Sequence, residues 1–195
     1  MPVNRPDVVV IAGPNGAGKT TYAEALLTKL GVDHFVNADR IAQGLSGLRP
    51  ESVALNAGRI MLTRLRELAD SRQSFGFETT LSSRSFAPFL RRLSSAGYRV
   101  RIFYLMLPDA AESMRRVRRR VAMGGHGIPR DVIQRRFGRS AYNLFNLYMP
   151  LADAWVVSEN VWEGIPHEIA RGASDGIDIL DETKWQHLQH IAANE

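Results

Sequence analysis

Hydrophobic and polar positions alternate in blocks along this chain. Short runs of β-branched and aromatic residues predict five buried strands, at residues 8–12, 35–38, 74–79, 99–107 and 155–158. Between them, apolar residues at helical spacing predict helices over 21–30, 51–70, 85–96, 109–123, 129–149 and 181–193. Strands that alternate with helices predict a parallel sheet covered by helices on both faces.

Two further apolar stretches near the C-terminus predict a β-hairpin. They lie at residues 168–170 and 177–180 and flank the segment 172–176, which begins and ends with glycine. The expected fold is therefore a three-layer α/β fold with a five-stranded parallel sheet and a C-terminal hairpin. We expect a single domain over residues 1–195, a usual length for one domain.

A glycine-rich loop joins the first predicted strand to the first predicted helix. Residues 13–20 read Gly-Pro-Asn-Gly-Ala-Gly-Lys-Thr and match the P-loop (Walker A) pattern G-x-x-x-x-G-K-[ST] at every defined position. In such a loop the backbone N–H groups point at phosphate oxygens, Lys19 reaches the β- and γ-phosphates, and the Thr20 hydroxyl binds Mg²⁺. The sequence thus predicts a P-loop NTPase fold with a site for ATP and Mg²⁺. Its predicted nucleotide-binding residues are Gly13, Pro14, Asn15, Gly16, Ala17, Gly18, Lys19, Thr20 and Thr21.

The composition excludes several other classes of protein. The chain contains no cysteine, so disulfides, thiolate catalysis and cysteine-bound metals are excluded. No apolar run approaches the roughly 20 residues that a membrane-spanning helix needs. The first residues contain no apolar stretch typical of a signal peptide. We therefore expect a cytoplasmic protein without a membrane partner.

Positive charge is concentrated in one segment of the chain. Nine arginines lie between residues 109 and 139, against only three acidic residues, Asp109, Glu112 and Asp131. The planar fork of arginine suits bidentate phosphate binding. Because the segment follows the fourth strand, we interpret it as a helical lid over about 109–139 that closes on phosphates, as in small kinases. The same charge would also suit a nucleic-acid-binding module, but no RRM, KH or helix-turn-helix pattern accompanies it.

Several motifs together give the chain a family resemblance. They are the P-loop, residues 36–39 (VNAD), residues 77–82 (FETTLS), the Gly97-Tyr98 turn and residues 116–129, extended by 135–137 and 150–153. With these motifs the chain resembles the zeta-toxin family, the P-loop kinases of toxin–antitoxin systems and their stand-alone relatives. The resemblance implies transfer of the γ-phosphoryl group of ATP to a hydroxyl of UDP-N-acetylglucosamine or a related sugar nucleotide. It also implies that an antitoxin protein could be a partner.

Two carboxylates are predicted at the edge of the sheet beside the P-loop, where open parallel sheets bind ligands. Asp39 is the candidate that accepts the proton of the acceptor hydroxyl, and the family's presumed base is an Asp at the matching place. Glu78 is the candidate for binding substrate or for holding Mg²⁺ through water, together with Thr20. Thr79 and Thr80 are added as substrate-binding candidates. The alternatives are a helix cap or a surface carboxylate for Asp39 and a plain strand-end acid for Glu78.

Three arginines are the candidate clamps on the transferred phosphoryl group. Arg116 and Arg120 lie four residues apart on one flank of a predicted helix, and Arg136 follows on the next helix. For each of them the alternative is a solvated face or a structural ion pair.

His126, between two glycines, is a candidate for phosphate or substrate contact, with an incidental loop histidine as the alternative. Other P-loop kinases of nucleotides or metabolites, and an ATPase without an acceptor, also remain open.

Overall fold

The computed structural model describes residues 5–47, 49–125, 127–160 and 165–195. Within this part, a central sheet of seven strands is covered by helices. The strands are β1 (Asp7–Ala12), β2 (His34–Val36), β3 (Phe75–Thr79), β4 (Arg99–Met106), β5 (Ala154–Glu159), β6 (His167–Ala173) and β7 (Gly176–Ile179). The helices are α1 (Lys19–Leu30), α2 (Ala38–Leu45), α3 (Ala54–Asp70), α4 (Ala87–Ser95), α5 (Ala110–Ala122), α6 (Arg130–Asn143) and α7 (Glu182–Ala193).

The sheet has the strand order β2-β3-β1-β4-β5-β6-β7. Its first five strands are parallel, and β6 and β7 continue the same sheet in antiparallel fashion. The prediction of an α/β fold with five parallel strands and a C-terminal hairpin is therefore confirmed. The hairpin widens the sheet to seven strands within the described residues.

The core forms on both faces of β1, all six residues of which are buried. Val8 and Val10 belong to a cluster with α3 and α4, whereas Val9 and Ile11 pack against α1. Because successive side chains of a strand point to opposite faces, this alternation fixes β1 in the middle layer. The loop that follows β1 is thereby held at the carboxyl edge of the sheet.

Helix α1 lies unusually close to the neighbouring strand β3. A Cβ atom added at Gly76 would lie 2.6 Å from a methyl carbon of Leu27, so a larger residue there would require the Leu27 side chain to shift. At the other end of α1, the Thr20 hydroxyl donates a hydrogen bond to Glu78 near the end of β3 at 2.7 Å, so Lys19 and Glu78 also lie close together.

The structure corrects the prediction for the second strand and its continuation. The strand ends at Val36, not at residue 38, and α2 follows it directly. The side chain of Asn37 caps this helix by accepting hydrogen bonds from the backbone N–H groups of Asp39 and Arg40, at 2.8 and 3.1 Å. Asp39 therefore lies in the first turn of a helix, and the predicted position at a strand end is wrong.

The long helix predicted over 129–149 is divided into three parts. It is α-helical only from Arg130 to Asn143, then forms a π-helical segment, Leu144–Tyr148, and ends in a 3₁₀ turn, Met149–Leu151. The α-helical part carries Arg136. The helix predicted over 51–70 likewise begins with a 3₁₀ turn, Pro50–Val53, before α3.

Candidate active site

The P-loop connects β1 to α1 in a conformation that depends on its glycines. Gly16 and Gly18 have φ values of +80° and +79°, a region that residues with a Cβ atom rarely occupy. Gly18 is the N-cap of α1 and has no side chain to satisfy the first N–H groups of the helix. These N–H groups, at the positive end of the helix dipole, are therefore available to bind an anion.

Lys19 is buried beneath this loop. Its Nζ atom donates a hydrogen bond to the carbonyl oxygen of Pro14 at 2.9 Å and lies 3.8 Å from Oε1 of Glu78. Burial lowers the pKa of Lys19 from its usual 10.5, whereas the negative charges of Glu78 and Asp39 oppose this shift. The positive charges of Arg120 and Arg136 lower the pKa of Lys19 further, so both arginines lie near the ammonium group.

Glu78, at the end of β3, joins the P-loop to α2. Its Oε2 atom accepts hydrogen bonds from the Thr20 hydroxyl and from the Asn37 side-chain amide, each at 2.7 Å. Since the other end of the Asn37 amide caps α2, this one residue fixes the positions of Glu78 and Asp39 relative to each other. Sequence reasoning missed Asn37, although an asparagine directly before a helix is a recognisable capping signal.

The chain segment after β3 is fastened to α6. The Ser140 hydroxyl donates to the carbonyl oxygen of Thr80 at 2.5 Å, and the Asn143 amide donates to that of Leu81 at 2.8 Å. Leu81 is fully buried and has a φ of +55°, an unusual conformation for leucine. These contacts hold Thr79 and Thr80 at the site and connect them to the helix that carries Arg136.

Helix α5 is fastened to the P-loop through its first half. The Ser113 hydroxyl donates to the carbonyl oxygen of Asn15 at 2.5 Å. Arg116 pairs with Glu112 at 2.5 Å and donates to the carbonyl oxygen of Asn160 at 2.9 Å, while the Asn160 amide donates to Ala17 at 2.8 Å. Arg116 thus lines the cavity and also holds α5 to the segment that follows β5. No motif in the sequence indicates that Asn160, which follows β5, reaches the P-loop.

These elements surround one cavity of about 960 Å³. Most of the predicted site residues line it, namely Asn15, Gly16, Gly18, Lys19, Thr20, Thr21, Asp39, Glu78, Thr79, Thr80, Arg116, Arg120 and Arg136. Gly13, Pro14 and Ala17 belong to the loop but do not line the cavity. His126 lies outside the described residues. The lining also includes two arginines that sequence analysis did not select, Arg119 on α5 and Arg59 on α3.

The cavity contains a pair of oxygen atoms suited to a hard divalent cation. The Thr20 hydroxyl and the Glu78 carboxylate, 2.7 Å apart, are ligand types that Mg²⁺ accepts. Among the residues that the structure describes, no group of three or more His, Cys, Asp or Glu could hold a metal ion. A cation at Thr20 and Glu78 would therefore need water and phosphate oxygens to complete its coordination, which is the usual arrangement for Mg²⁺.

The fold and the site can be compared with those of known proteins. A family model described as an AAA domain (AAA_33) matches residues 8–141, which run from β1 into α6. An uncharacterised protein of Haemophilus influenzae is 25% identical over 129 residues, which are 66% of this chain and 91% of that protein. In the part of the chain that the structure describes, no helix has the length and apolar character needed to cross a membrane.

Solved structures of three other systems have a similar fold. The AvrRxo1-ORF1:AvrRxo1-ORF2 complex with sulphate ions has a TM-score of 0.75 at 15% identity and covers 94% of this chain, and the complex with ATP has a TM-score of 0.74 at 16% identity. The present chain spans only 63% of the matched chain of that complex.

For two other solved structures, the match extends over a larger share of the matched chain. A structure of the PezAT chromosomal toxin–antitoxin system of Streptococcus pneumoniae has a TM-score of 0.63 at 14% identity, covering 100% of this chain and 81% of that one. A gluconokinase of Sinorhizobium meliloti has a TM-score of 0.52 at 16% identity, covering 97% and 94%. At such identities the likeness concerns the fold.

Proposed function

The chain belongs to this AAA domain family, and we propose that it is an ATP-dependent kinase that phosphorylates a hydroxyl group of a small molecule. One observation carries the proposal. A P-loop with a buried lysine shares a single cavity with two carboxylates, Asp39 and Glu78, and with arginines from α5 and α6. Phosphoryl transfer needs these parts together, because its catalysis consists mainly of positioning and charge stabilisation.

The P-loop is the proposed site of the phosphates of ATP. Its glycine conformations leave the N–H groups at the start of α1 open, and Lys19 lies close enough to exchange its bond with Pro14 for one with a phosphate oxygen. The AvrRxo1-ORF1:-ORF2 structure of similar fold was determined with ATP, which supports this choice of nucleotide. Thr20 and Glu78 would hold Mg²⁺, which neutralises charge on the β- and γ-phosphates when bound.

Asp39 is the proposed base. It lies on the same cavity as Lys19, in the first turn of a helix whose cap, Asn37, is also bonded to Glu78. In the reaction the acceptor oxygen bonds to the γ-phosphorus, the bond from that phosphorus to the leaving oxygen of ADP breaks, and the hydroxyl proton passes to Asp39. Arg120 and Arg136 would stabilise the charge that develops on the transferred group.

The finer assignments extend this proposal. We propose one kinase domain over residues 1–195, with α5 and α6 as its lid, and UDP-N-acetylglucosamine or a related sugar nucleotide as acceptor. The acceptor assignment is supported by the motif resemblance to zeta toxins. The similarity in fold to a structure of the PezAT toxin–antitoxin system also motivates a search for an antitoxin partner.

The test is mass spectrometry of Mg-ATP reactions with a pooled panel of metabolites that includes UDP-N-acetylglucosamine. The wild type should yield a product heavier by one phosphoryl group, and Lys19→Ala should not. Lys29→Ala is the matched control, because Lys29 lies on the same helix with an exposed side chain. ADP release without a phosphorylated product would instead indicate an ATPase, and Lys19-independent binding of oligonucleotides would favour a nucleic-acid-binding module.

A further inference from the structure

Helix α3 has an apolar face that does not pack against the protein core. Its core side is formed by Ala57, Met61, Leu65 and Leu68. A second set, Leu55, Gly58, Arg59 and Leu62, follows the spacing i, i+3, i+4, i+7 of one helix face and lines the cavity. We call this set the outer face of α3.

The two leucines of the outer face are exposed to water. Leu55 is 84% exposed and Leu62 is 37% exposed, although both lie on the wall of a large cavity. Apolar side chains at such a place commonly contact the apolar part of a ligand, and burying one against a ligand is favourable by about 25 cal/mol per Å². The outer face is thus suited to an apolar or ring-shaped group.

Arg59 gives the same face a positive charge that the protein itself does not neutralise. Among the described residues, Arg59 takes part in no hydrogen bond or ion pair, whereas Arg64 on the same helix pairs with Glu67 at 3.0 Å. The residues three and four positions from Arg59 are Leu55, Asn56, Leu62 and Thr63, none of them acidic. A guanidinium group in this setting is suited to bind a phosphate or a carboxylate.

Arg59 lies apart from the phosphate-binding end of the cavity. It belongs to α3, which packs against α2 and β2, whereas Lys19 lies at the start of α1. The phosphates of ATP would lie at the P-loop, within reach of Lys19. An anion at Arg59 would therefore belong to a different part of the bound molecules.

We propose that the outer face of α3 is the acceptor subsite and that the acceptor is an anionic alcohol. Arg59 binds the phosphate or carboxylate of the acceptor, and Leu55 and Leu62 pack against the portion of the molecule next to it. The proposal rests on the kinase function proposed above and narrows its substrates to hydroxyl compounds that already carry a negative charge. Neutral sugars and polyols lack the group that Arg59 recognises.

The experiment uses pairs of compounds that differ by one anionic group. Suitable probes are N-acetylglucosamine with its 1-phosphate, uridine with uridine 5′-monophosphate, and glycerol with glycerate, together with UDP-N-acetylglucosamine. Phosphoryl transfer from Mg-ATP and calorimetric binding to the ADP-saturated protein are measured for the wild type, Arg59→Ala and Arg66→Ala. Arg66 is the matched control, because it is exposed on the same helix, seven residues further along, and does not line the cavity.

We expect wild-type protein to prefer an anionic probe to its neutral partner. Arg59→Ala should raise the ratio of the acceptor KM to the ATP KM by about 10- to 100-fold, the usual effect of losing a charge-assisted hydrogen bond. Arg66→Ala should behave as the wild type. The inference is overturned if the neutral partner is used equally well, if Arg59→Ala leaves the ratio unchanged, or if no anionic probe binds.

Failure of the kinase proposal gives a different result. Anionic probes would then bind to the ADP-saturated protein in an Arg59-dependent manner without ever receiving a phosphoryl group. That outcome would support the subsite and contradict the transfer reaction. Phosphoryl transfer that does not depend on Arg59 would support the transfer reaction and contradict the subsite.

The apolar part of the subsite is tested with Leu55→Ala. Because the side chain is largely exposed, its removal leaves the fold intact and should raise the acceptor KM by about 3- to 30-fold, as expected for lost apolar contact. Ile165→Ala is the matched control, since Ile165 is 92% exposed and lies outside the cavity lining. Equal KM values for the two variants would contradict the packing role of Leu55.

Discussion

The P-loop and the outer face of α3 line the same cavity, but their side chains are held in different ways. At the P-loop, Lys19 is buried and hydrogen-bonded, and Ser113 and Asn160 hold the loop backbone from outside. On α3, Leu55 is exposed and Arg59 has no bonding partner among the described residues. A preformed site loses little entropy when it binds, whereas an exposed face gains its contacts only from the ligand. This difference agrees with a P-loop that is organised before ATP arrives and with the proposed role of α3 in selecting the acceptor.

The largest effect is expected at Asp39, which belongs neither to the P-loop nor to the outer face of α3. As the proposed base, it should affect the transfer step and not the binding of ATP. Asp39→Asn should lower kcat for phosphoryl transfer by about 10²- to 10⁴-fold, the range expected for loss of a general base, while ATP binding is retained. The measurement is kcat by product analysis together with the Kd for ATP. Asp33→Asn, an exposed change just before β2, is the control. Unchanged transfer in Asp39→Asn would show that another group accepts the proton.

Replacing one glycine by alanine in the P-loop and one on α3 tests how tightly each of these regions is packed. An alanine Cβ at Gly13 would lie 2.2 Å from the carbonyl oxygen of Leu105, at a φ of +138°. Gly13→Ala should therefore lower the free energy of unfolding by about 3 kcal/mol, from steric overlap and backbone strain. Urea denaturation measures this effect.

The corresponding exchange on α3 should have the opposite sign. Nothing lies within 4 Å of a Cβ atom added at Gly58, so Gly58→Ala should raise the free energy of unfolding by about 0.5–1 kcal/mol through helix propensity. If both variants lost similar stability, the contrast between a packed loop and an open helix face would be wrong.

Glu78→Gln addresses the electrostatics of the P-loop and should change nucleotide binding. The protonated ammonium of Lys19 binds phosphate, so ATP affinity falls as pH rises through the pKa of Lys19. Burial already lowers that pKa and Glu78 opposes the shift, so removing the carboxylate lowers the pKa further. We expect affinity for Mg-ATP to be about tenfold weaker at neutral pH, because a proposed Mg²⁺ ligand is lost. The lower pKa of Lys19 should make the alkaline loss of binding begin at lower pH.

Titration of ATP affinity against pH for the wild type and Glu78→Gln measures this shift. Glu67→Gln, which removes an exposed carboxylate on α3, is the control for a general change in charge. A pH profile that moved to higher pH in Glu78→Gln would contradict the assigned sign.

Much of the fold could be predicted because its signals are local. The apolar run of β1 and the glycines after it identify a strand, a phosphate loop and a helix within one stretch of sequence. Helix α2 was missed because Asn37 follows β-branched and aromatic residues, and its capping role depends on one side chain that serves Glu78 as well. The hairpin was predicted, but its position on the edge of the sheet depends on pairing between β5 and β6.

The site was predictable only where function is tied to a motif. Lys19 and Thr20 have fixed places in the P-loop pattern, whereas Asn160 reaches Ala17 from a segment more than 140 residues away. Arg59 belongs to no motif and lies outside the arginine-rich segment of α5 and α6, so its sequence context does not distinguish it from a solvated surface charge. The packing of the other faces of a helix decides which face lines a cavity. The positions of charged residues along the sequence do not show that packing.

The hydrogen bonds that fasten α5 also restrict how the proposed lid could move. A rotation of the whole helix would break the bonds of Ser113 and Arg116 and would pull on the P-loop at Asn15. The second half of α5 is held as well, because Val117 is buried and Arg119 and Arg120 have partners of their own. Helix α5 and the phosphate loop are therefore mechanically coupled, so any opening of α5 would also disturb the loop at Asn15.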